Sequence, residues 1–513
     1  MLTGVANLFR LFLIARTLAS RDALFPLERL GVAPAVLLLV KLISRRHAPG
    51  RPGERLAAAC EALGPTFIKL GQALSVRSDL VGEDVASDLS SLQDKLPPFP
   101  SDQAKAIIEA ELGRTIEDLF DRFDSEPIAA ASIAQVHFAT TTDGEEVAVK
   151  VLRPDVEEIF ARDLGLMYWV ARLLERTRPD MRRLKPVEVV RTFEDTVRME
   201  MDLRMEAAAA AELAENFADD PDFHVPKVNW QRTGRKVLTT ERINGISIDE
   251  VDALVEAGLD PKDIIDKSAR VFFYQVFRDG FFHADMHPGN MFIGHNGALM
   301  PVDFGIMGRL DRKTRNYLAD MLLAFLQRDY RRVSDVHFQA GYVPAHMSRD
   351  AFTQACRSIG EPILDLPLDQ ISLARLLSQL FQVTEQFEME TQPQLLLLQK
   401  TMLVAEGVSR KLDPAVNMWV LAQPLIEEWM WANRGPQARM RDAAETALTQ
   451  LERLPLLLDR IDLAGKMIEE GGMRLHPETE AALRNERQGF WSVAVVAAAT
   501  AVVTVTVVLA LAG

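Results

Sequence analysis

The sequence predicts an α+β protein of two lobes, a small one containing β-strands and a large helical one. Mostly helical extensions flank them, and the C-terminus reads as a transmembrane helix. Three observations carry this. Two β-like runs, around Ile133–Thr140 and at Glu146–Leu152, flank Asp143-Gly144, a dipeptide that closes tight hairpins because glycine enters left-handed backbone freely. After about residue 311 the chain is helical in pattern almost to its end, rich in Leu, Met and Gln. The last stretch, Ser492–Gly513, carries no charged residue and matches the run of about 20 apolar residues that spans a bilayer.

Each segment follows in chain order. Residues 1–48 hold "LFRLFLIARTLASRDALF", apolar at helical spacing with arginines between, and a second apolar run interrupted by Pro34. Such a helix either lies on a membrane or partner surface or packs as a core helix, and both readings stand. No small-residue cleavage site follows, which excludes a secretory signal. Residues 49–117 are helical, with a stop at the Pro97–Pro100 cluster and Ser101 as the next N-cap. Residues 118–245 form the small lobe with a helical insert at about 155–177 and 186–217. Residues 246–345 continue into the large lobe, and 346–487 are its helical remainder, where "PQLLLLQKTMLVAEGVSRKL" reads as a core helix. Residues 490–513 are the membrane segment. Phe490 and Trp491 sit at the interface, and Arg484 and Arg487 precede it, which keeps the bulk of the chain in the cytoplasm.

Composition narrows the function. Lys and Arg total 58 against 73 Asp and Glu, a net charge of −15, so no nucleic acid is expected as partner. Cys60 and Cys356 are the only cysteines, in no C-x-x-C pattern, which excludes a disulfide framework and points to a reducing compartment.

The chemistry concentrates in "FFHADMHPGN", residues 281–290. His283 and His287 have the i, i+4 spacing of a helical zinc pair, but Pro288-Gly289 makes a helix there improbable and no third nitrogen or sulfur ligand stands nearby. The phosphoryl-transfer pattern H-R-D-x-x-x-x-N fits better. Asp285 takes the place of the base, and Asn290, five positions on, that of a Mg²⁺ ligand. Two short strands around His295-Asn296-Gly297 then return the chain, so that Asp303 of Asp303-Phe304-Gly305 comes back to Asn290 and can share the metal.

Upstream, the template asks for a phosphate loop and a lysine. The G-x-G-x-x-G-x-V pattern is matched by Ala129, Ala131, Ala134 and Val136, with alanine at every glycine position. The loop Ile128, Ala129, Ala130, Ala131, Ser132, Ile133, Ala134, Gln135, Val136 is the expected ATP-binding element, and Lys150 in "EVAVKV" the expected phosphate-pairing lysine. Alanine limits positive φ and close backbone approach, so Ser132 and Gln135 are expected to compensate with side-chain hydrogen bonds. The carboxylate partner of Lys150 lies among Glu200, Asp202 and Glu206, and sequence does not choose between them. Backbone near Thr240–Ile243 supplies the hinge. No A-P-E follows the D-F-G, and a helix begins at about Asp311, leaving little surface for a peptide.

These motifs resemble the UbiB family of atypical, protein-kinase-like proteins. The resemblance covers roughly residues 5–513 and rests on "FIKLGQALSVRSDLV", "AAASIAQVH", "EMD" at 200–202 followed by Glu206, and "FHADMHPGN…VDFG". It implies a bilobal kinase-like core, Mg-ATP as ligand, and ATPase or small-molecule phosphorylating activity in ubiquinone biosynthesis. It also implies that Lys69 to Gln72 fold over the site and block peptides, with Glu200 and Asp202 in the network that holds them. The partners it implies are membrane lipid, polyprenyl-phenol or quinone intermediates and the quinone-biosynthesis enzymes, and a homodimer is compatible with it. The place is the bacterial inner membrane, with the bulk on the cytoplasmic side. The alternative is a nucleotide-gated lipid-binding scaffold with little turnover. No flavin or iron signature is present. Deleting Ser492–Gly513 is expected to release much of the protein from membranes in a flotation assay while ATP binding persists; a truncated chain that unfolds would instead make the segment a core helix.

Overall fold

The Asp143-Gly144 hairpin forms where the sequence places it, with Gly144 at φ +84° in the turn between Ala134–Thr141 and Glu146–Leu152. The computed structural model describes residues 2–25, 49–75, 81–90, 92, 96–177, 185–363, 379, 382–384, 386–389, 393–414, 416 and 418–434. Tertiary contacts gather the chain up to Met430 into one unit, and of the second, Trp431–Gly513, only Trp431–Arg434 is described.

The small lobe is an antiparallel sheet of β1 (Phe120–Phe123), β2 (Ala129–Ala130), β3 (Ala134–Thr141), β4 (Glu146–Leu152) and β5 (Val237–Glu241), in the order β1-β3-β4-β5 with β2 beside β3. Alternation sets its faces. Val147, Val149 and Val151 pack with Ala104 and Ile108, which leaves Lys150 on the opposite face. After β5, residues 242–244 cross to β6 (Gly245–Ser247), which pairs with β8 (Met291–Gly294) in the large lobe. Of the expected hinge residues Thr240–Ile243, Thr240 and Glu241 end β5, and Arg242 and Ile243 lie in this crossing. Gly245 is required there, because a Cβ would lie 2.8 Å from the Ile293 carbonyl oxygen.

At the N-terminus, α1 (Leu2–Ser20), α2 (Pro52–Leu63), α3 (Pro65–Ser75), α4 (Glu83–Ser90) and α5 (Ser101–Leu112) precede the sheet. Leu11, Ile14, Ala15 and Leu18 of α1 share a core with Leu56, Ala59 and Ile68. Arg10 fixes this helix by a two-pronged contact, at 2.9 and 3.0 Å, with the buried Asp163. Of the two readings of the N-terminus, α1 is a core helix; residues 26–48 lie outside the described residues.

The helical insert departs from the sequence reading. Its first helix, α6 (Val156–Thr177), is as expected, but the single helix expected over 186–217 is two, α7 (Pro186–Glu200) and α8 (Leu203–Asn216). Asp202 makes the break. It caps α8, its carboxylate accepting from Arg204 N at 3.2 Å, and a capping aspartate before an apolar run starts a helix rather than continuing one. Leu203, Ala207, Ala210 and Leu213 of α8 lie buried at i, i+3/i+4 spacing in the central core, together with Phe160, Phe281 and Phe304.

In the large lobe, α9 (Pro261–Phe273) runs into a π-helical turn at Tyr274–Asp279, then β7 (Phe281–His283). The hairpin of β8 and β9 (Leu299–Pro301) pairs Met291 with Pro301, and β10 (Met307–Arg309) returns to β7 with Met307 opposite His283. Helices α10 (Arg312–Leu326), α11 (Tyr330–Ala340), α12 (Arg349–Gly360), α13 (Pro393–Leu412) and α14 (Met418–Arg434) follow. Among the described residues no helix is long and apolar enough to cross a membrane; the segment 490–513 lies outside them.

Gly308 of β10 lies against the buried Phe282 ring, and an added Cβ would sit 2.1 Å from Cζ. Gly308→Ala should lower stability by about 1–3 kcal/mol in urea unfolding, the usual cost of overpacking. Gly407→Ala is the control. It sits within α13 with nothing near its Cβ position, and should gain up to about 1 kcal/mol from helix propensity.

Candidate active site

Strand β4 and the first turn of α8 face each other across the central core, and that arrangement selects the partner of Lys150. Its Nζ donates to Glu206 Oε1 at 2.7 Å and Oε2 at 2.9 Å, and to Asp303 Oδ1 at 3.2 Å. The helix break sends the other two acids elsewhere. Glu200, at the end of α7, pairs with Lys69 of α3 at 2.9 Å, both side chains largely buried. Asp202 caps α8 and binds Arg204, so it braces the helix that carries Glu206. Gln72 lies one turn along α3 from Lys69, half-buried.

Lys150 and Asp303 hold each other ionised. Burial opposes the Lys150 ammonium, but Asp303 and then Glu206 outweigh it and raise its pKa. Burial likewise works against the Asp303 carboxylate, yet Lys150 and then Lys69 hold its pKa below the ordinary range. Glu206 goes the other way, because burial raises its pKa and Lys150 offsets only part of that. Asp303 keeps 45% of its side-chain surface open against 9% for Glu206, so Asp303 is the member that can take a ligand. Its backbone is left-handed at φ +62°, a conformation that costs energy for a residue with a Cβ and that concentrates at functional sites.

The loop after β7 is built on His283. The π-helical turn brings Gln275 to accept from His283 N at 2.8 Å. The buried ring accepts from Asp285 N through Nδ1 at 3.2 Å and faces the Val302 carbonyl through Nε2 at 3.3 Å. Burial lowers the imidazole pKa, with Asp285 and Asp303 offsetting part of the effect. His287 accepts from Gly289 N through Nδ1. Both imidazoles thus serve the backbone of the loop. Asn290 donates its amide N–H to the Asp285 carbonyl and to Asp285 Oδ2, each at 3.1 Å, while Val302 N donates to the Asn290 carbonyl at 2.8 Å. The hairpin therefore returns Asp303 beside Asn290, as the spacing requires.

A carboxylate and an amide oxygen suit a hard cation. Mg²⁺ is held by one or two carboxylates with waters and phosphate oxygens completing its shell, not by an all-protein cage. Among the described residues, no three His, Cys, Asp or Glu gather where they could hold a metal ion.

The alanine loop is a tight hairpin. Ala129 and Ala130 pair with Val136 and Gln135, and Ala131 N donates to Ala134 O at 2.8 Å. Ile128 and Ala129 are exposed, and Ile133 and Ala134 are buried. The two expected compensating side chains do not face outward. Ser132 is buried, and the Gln135 amide accepts from Phe99 N at 2.9 Å and donates to Phe99 O at 3.2 Å. Arg153 holds the same turn, donating to Ala131 O at 2.8 and 2.9 Å and to Pro97 O at 3.0 Å. Ile128 N donates to Val136 O, and the Ala130 and Ala131 carbonyls accept from Leu96 N and Arg153, so much of the loop backbone is already engaged.

Sequence reasoning missed Arg153 and Lys400. Lys400 Nζ lies 3.1 Å from Asp285 Oδ1, although its helix α13 read as core alone. A single lysine inside "LLLLQKTMLV" was the available signal.

Residues 91–337 match the ABC1 atypical kinase-like domain, and 356–417 match the UbiB helical domain. A Marinobacter nauticus protein named "Probable protein kinase UbiB" is 44% identical over 461 residues, 88% of this chain and 84% of its own. The chain belongs to the UbiB family. An Azotobacter vinelandii UbiB protein of the same name is 45% identical over 425 residues, 82% of this chain and 78% of its own. Among solved structures, the Mycobacterium tuberculosis protein Rv3197, determined with erythromycin, shares 26% identity at a TM-score of 0.51 over 72% of this chain and 94% of its own. The fold is thus mixed α+β, mostly helical and kinase-like, and the kinase-like domain implies nucleotide binding. Lys150, Glu206, Asp285, Asn290 and Asp303 all lie within the kinase-like match, whereas Lys400 lies in the UbiB helical domain.

The depressed Asp303 pKa fixes a sign. Its stabilising share is complete above the unfolded aspartate value of about 3.9 and is lost as pH falls toward the folded value. Urea unfolding from about pH 5 downward should show stability falling with acid, and Asp303→Asn should flatten that limb.

Proposed function

We propose that this UbiB-family chain is an atypical kinase-like ATPase that binds Mg-ATP between its lobes and supports ubiquinone biosynthesis at the membrane. In this reading it phosphorylates or mobilises polyprenyl-phenol intermediates rather than proteins. The observation that carries it is the Lys150–Glu206–Asp303 cluster set beside the Asp285–Asn290 pair.

Each residue has a role that follows from its surroundings. Lys150, held by Glu206, presents its ammonium to phosphate oxygens. Asp303 and Asn290 would hold Mg²⁺, which supplies neutralisation of phosphate charge when bound. Asp285 receives the proton of an attacking hydroxyl or water. As that oxygen bonds to the γ-phosphorus, the bond to the bridging oxygen breaks and its electron pair leaves with ADP. The hairpin Ile128–Ala131 would lie beside the phosphates.

Two features favour a small substrate over a peptide. The chain runs from Gly305 through β10 almost directly into α10 at Arg312, leaving no long segment on which to lay a peptide. Helix α3 is tied down by the Lys69–Glu200 pair, and the Lys69 charge reaches Asp303. The same tether favours a second reading, in which nucleotide sets conformation and the protein presents lipid intermediates to the quinone-biosynthesis enzymes with little turnover. Either way the membrane segment holds the chain at the inner membrane with its bulk in the cytoplasm, and a homodimer is compatible with both.

Calorimetry in Mg²⁺ separates binding from chemistry. Asp303→Asn should largely abolish Mg-ATP affinity, and unchanged affinity would overturn the kinase-like reading of the site. Asp285→Asn should keep affinity while ATP turnover, measured with anionic lipid and a phenol-type precursor, falls by about 10²–10⁴-fold. Near-normal turnover in that variant would favour the scaffold reading.

A further inference from the structure

We infer that Lys400, carried by the UbiB helical domain, is the positioning residue for Asp285. The inference rests on the proposed reading that Asp285 receives the proton. The two carboxylate oxygens of Asp285 are held from two sides by two elements. Asn290 Nδ2 lies 3.1 Å from Oδ2, and Lys400 Nζ lies 3.1 Å from Oδ1. Two contacts on opposite oxygens fix the plane of the group, which a single contact would leave free to rotate.

Among the described residues the cations nearest the site are engaged elsewhere. Between Phe281 and Gly305 there is neither lysine nor arginine. Lys150 is engaged by Glu206 and Asp303, and Lys69 by Glu200. The cation at Asp285 therefore comes from 115 residues downstream.

The helix that brings it is firmly seated. Leu398, Val408 and Leu412 of α13 are buried, α13 packs on α9 and β10, and Lys411 pairs with Asp249 at 3.3 Å. Stability does not account for the pair. Lys400 and Asp285 keep 33% and 30% of their side-chain surface exposed, and ion pairs this open contribute little to folding. A small misplacement of a reacting group, by contrast, lowers rate steeply.

The test uses the full-length protein. Lys400→Met should reduce kcat for ATP turnover by about 10- to 100-fold. KM for ATP and the calorimetric Mg-ATP affinity should stay near wild type. Lys400→Arg, which can still donate to Oδ1, should recover most of the rate, and Lys400→Gln serves if the methionine variant fails to fold. In an Asp285→Asn background Lys400→Met should cause no further loss of turnover. A wild-type kcat in Lys400→Met beside an impaired Asp285→Asn overturns this inference alone. So does an equal loss of turnover in both backgrounds. Normal turnover by Asp285→Asn overturns the underlying reading and this inference with it.

Discussion

The buried ammonium of Lys150 is the constraint on which the rest of the site depends. A charge taken out of water is costly unless it is paired and hydrogen-bonded. This one lies between two carboxylates that come from different parts of the chain, Glu206 on α8 and Asp303 after β9. For all three groups to meet, β4 must turn Lys150 away from its valine face, α8 must begin at Leu203, and the β8–β9 hairpin must return the chain so that Asp303 reaches Lys150. The small lobe, the helical insert and the large lobe are thus tied at one point by one electrostatic requirement.

The remaining polar contacts extend that point outward. His283, buried and held by Gln275, shapes the loop that carries Asp285 and Asn290. Behind the alanine hairpin, Gln135 and Arg153 take up the Phe99 backbone and the Pro97 carbonyl, so the segment leading from α4 into the lobe is fastened to the loop expected to meet phosphate. The N-terminal extension is therefore anchored through Arg10 at Asp163, through Lys69 at Glu200 and at this linker.

Much of this was legible because the chemistry is written in local spacing. Asp285, Asn290 and Asp303 are set by one loop and one hairpin, and Lys150 by a strand behind an Asp-Gly turn. The choice among Glu200, Asp202 and Glu206 was not legible, because three acids on what reads as one continuous helix differ only in phase. Asp202 ends that continuity, and a cap is a single-residue event that periodicity averages away. Gln135 was misjudged because a polar side chain beside a presumed ligand loop reads as outward, while here backbone from a distant linker satisfies it inside the lobe. Lys400 was hidden for a different reason: its contact spans more than a hundred positions, and its neighbours in sequence are apolar.

The break at Asp202 makes the stretch from Glu200 to Glu206 a ruler. One end closes on Lys69 and the other on Lys150, so two cations in separate layers are registered against each other by a fixed number of residues. Adding or removing one residue would swing one carboxylate by about 100° around its helix axis and break whichever pair lay downstream of the change. Side-chain identity at the intervening buried positions Met201 and Leu203 is constrained only by packing, but length is constrained absolutely. In such a segment insertions and deletions are more damaging than substitutions, the reverse of what surface connections between helices ordinarily tolerate.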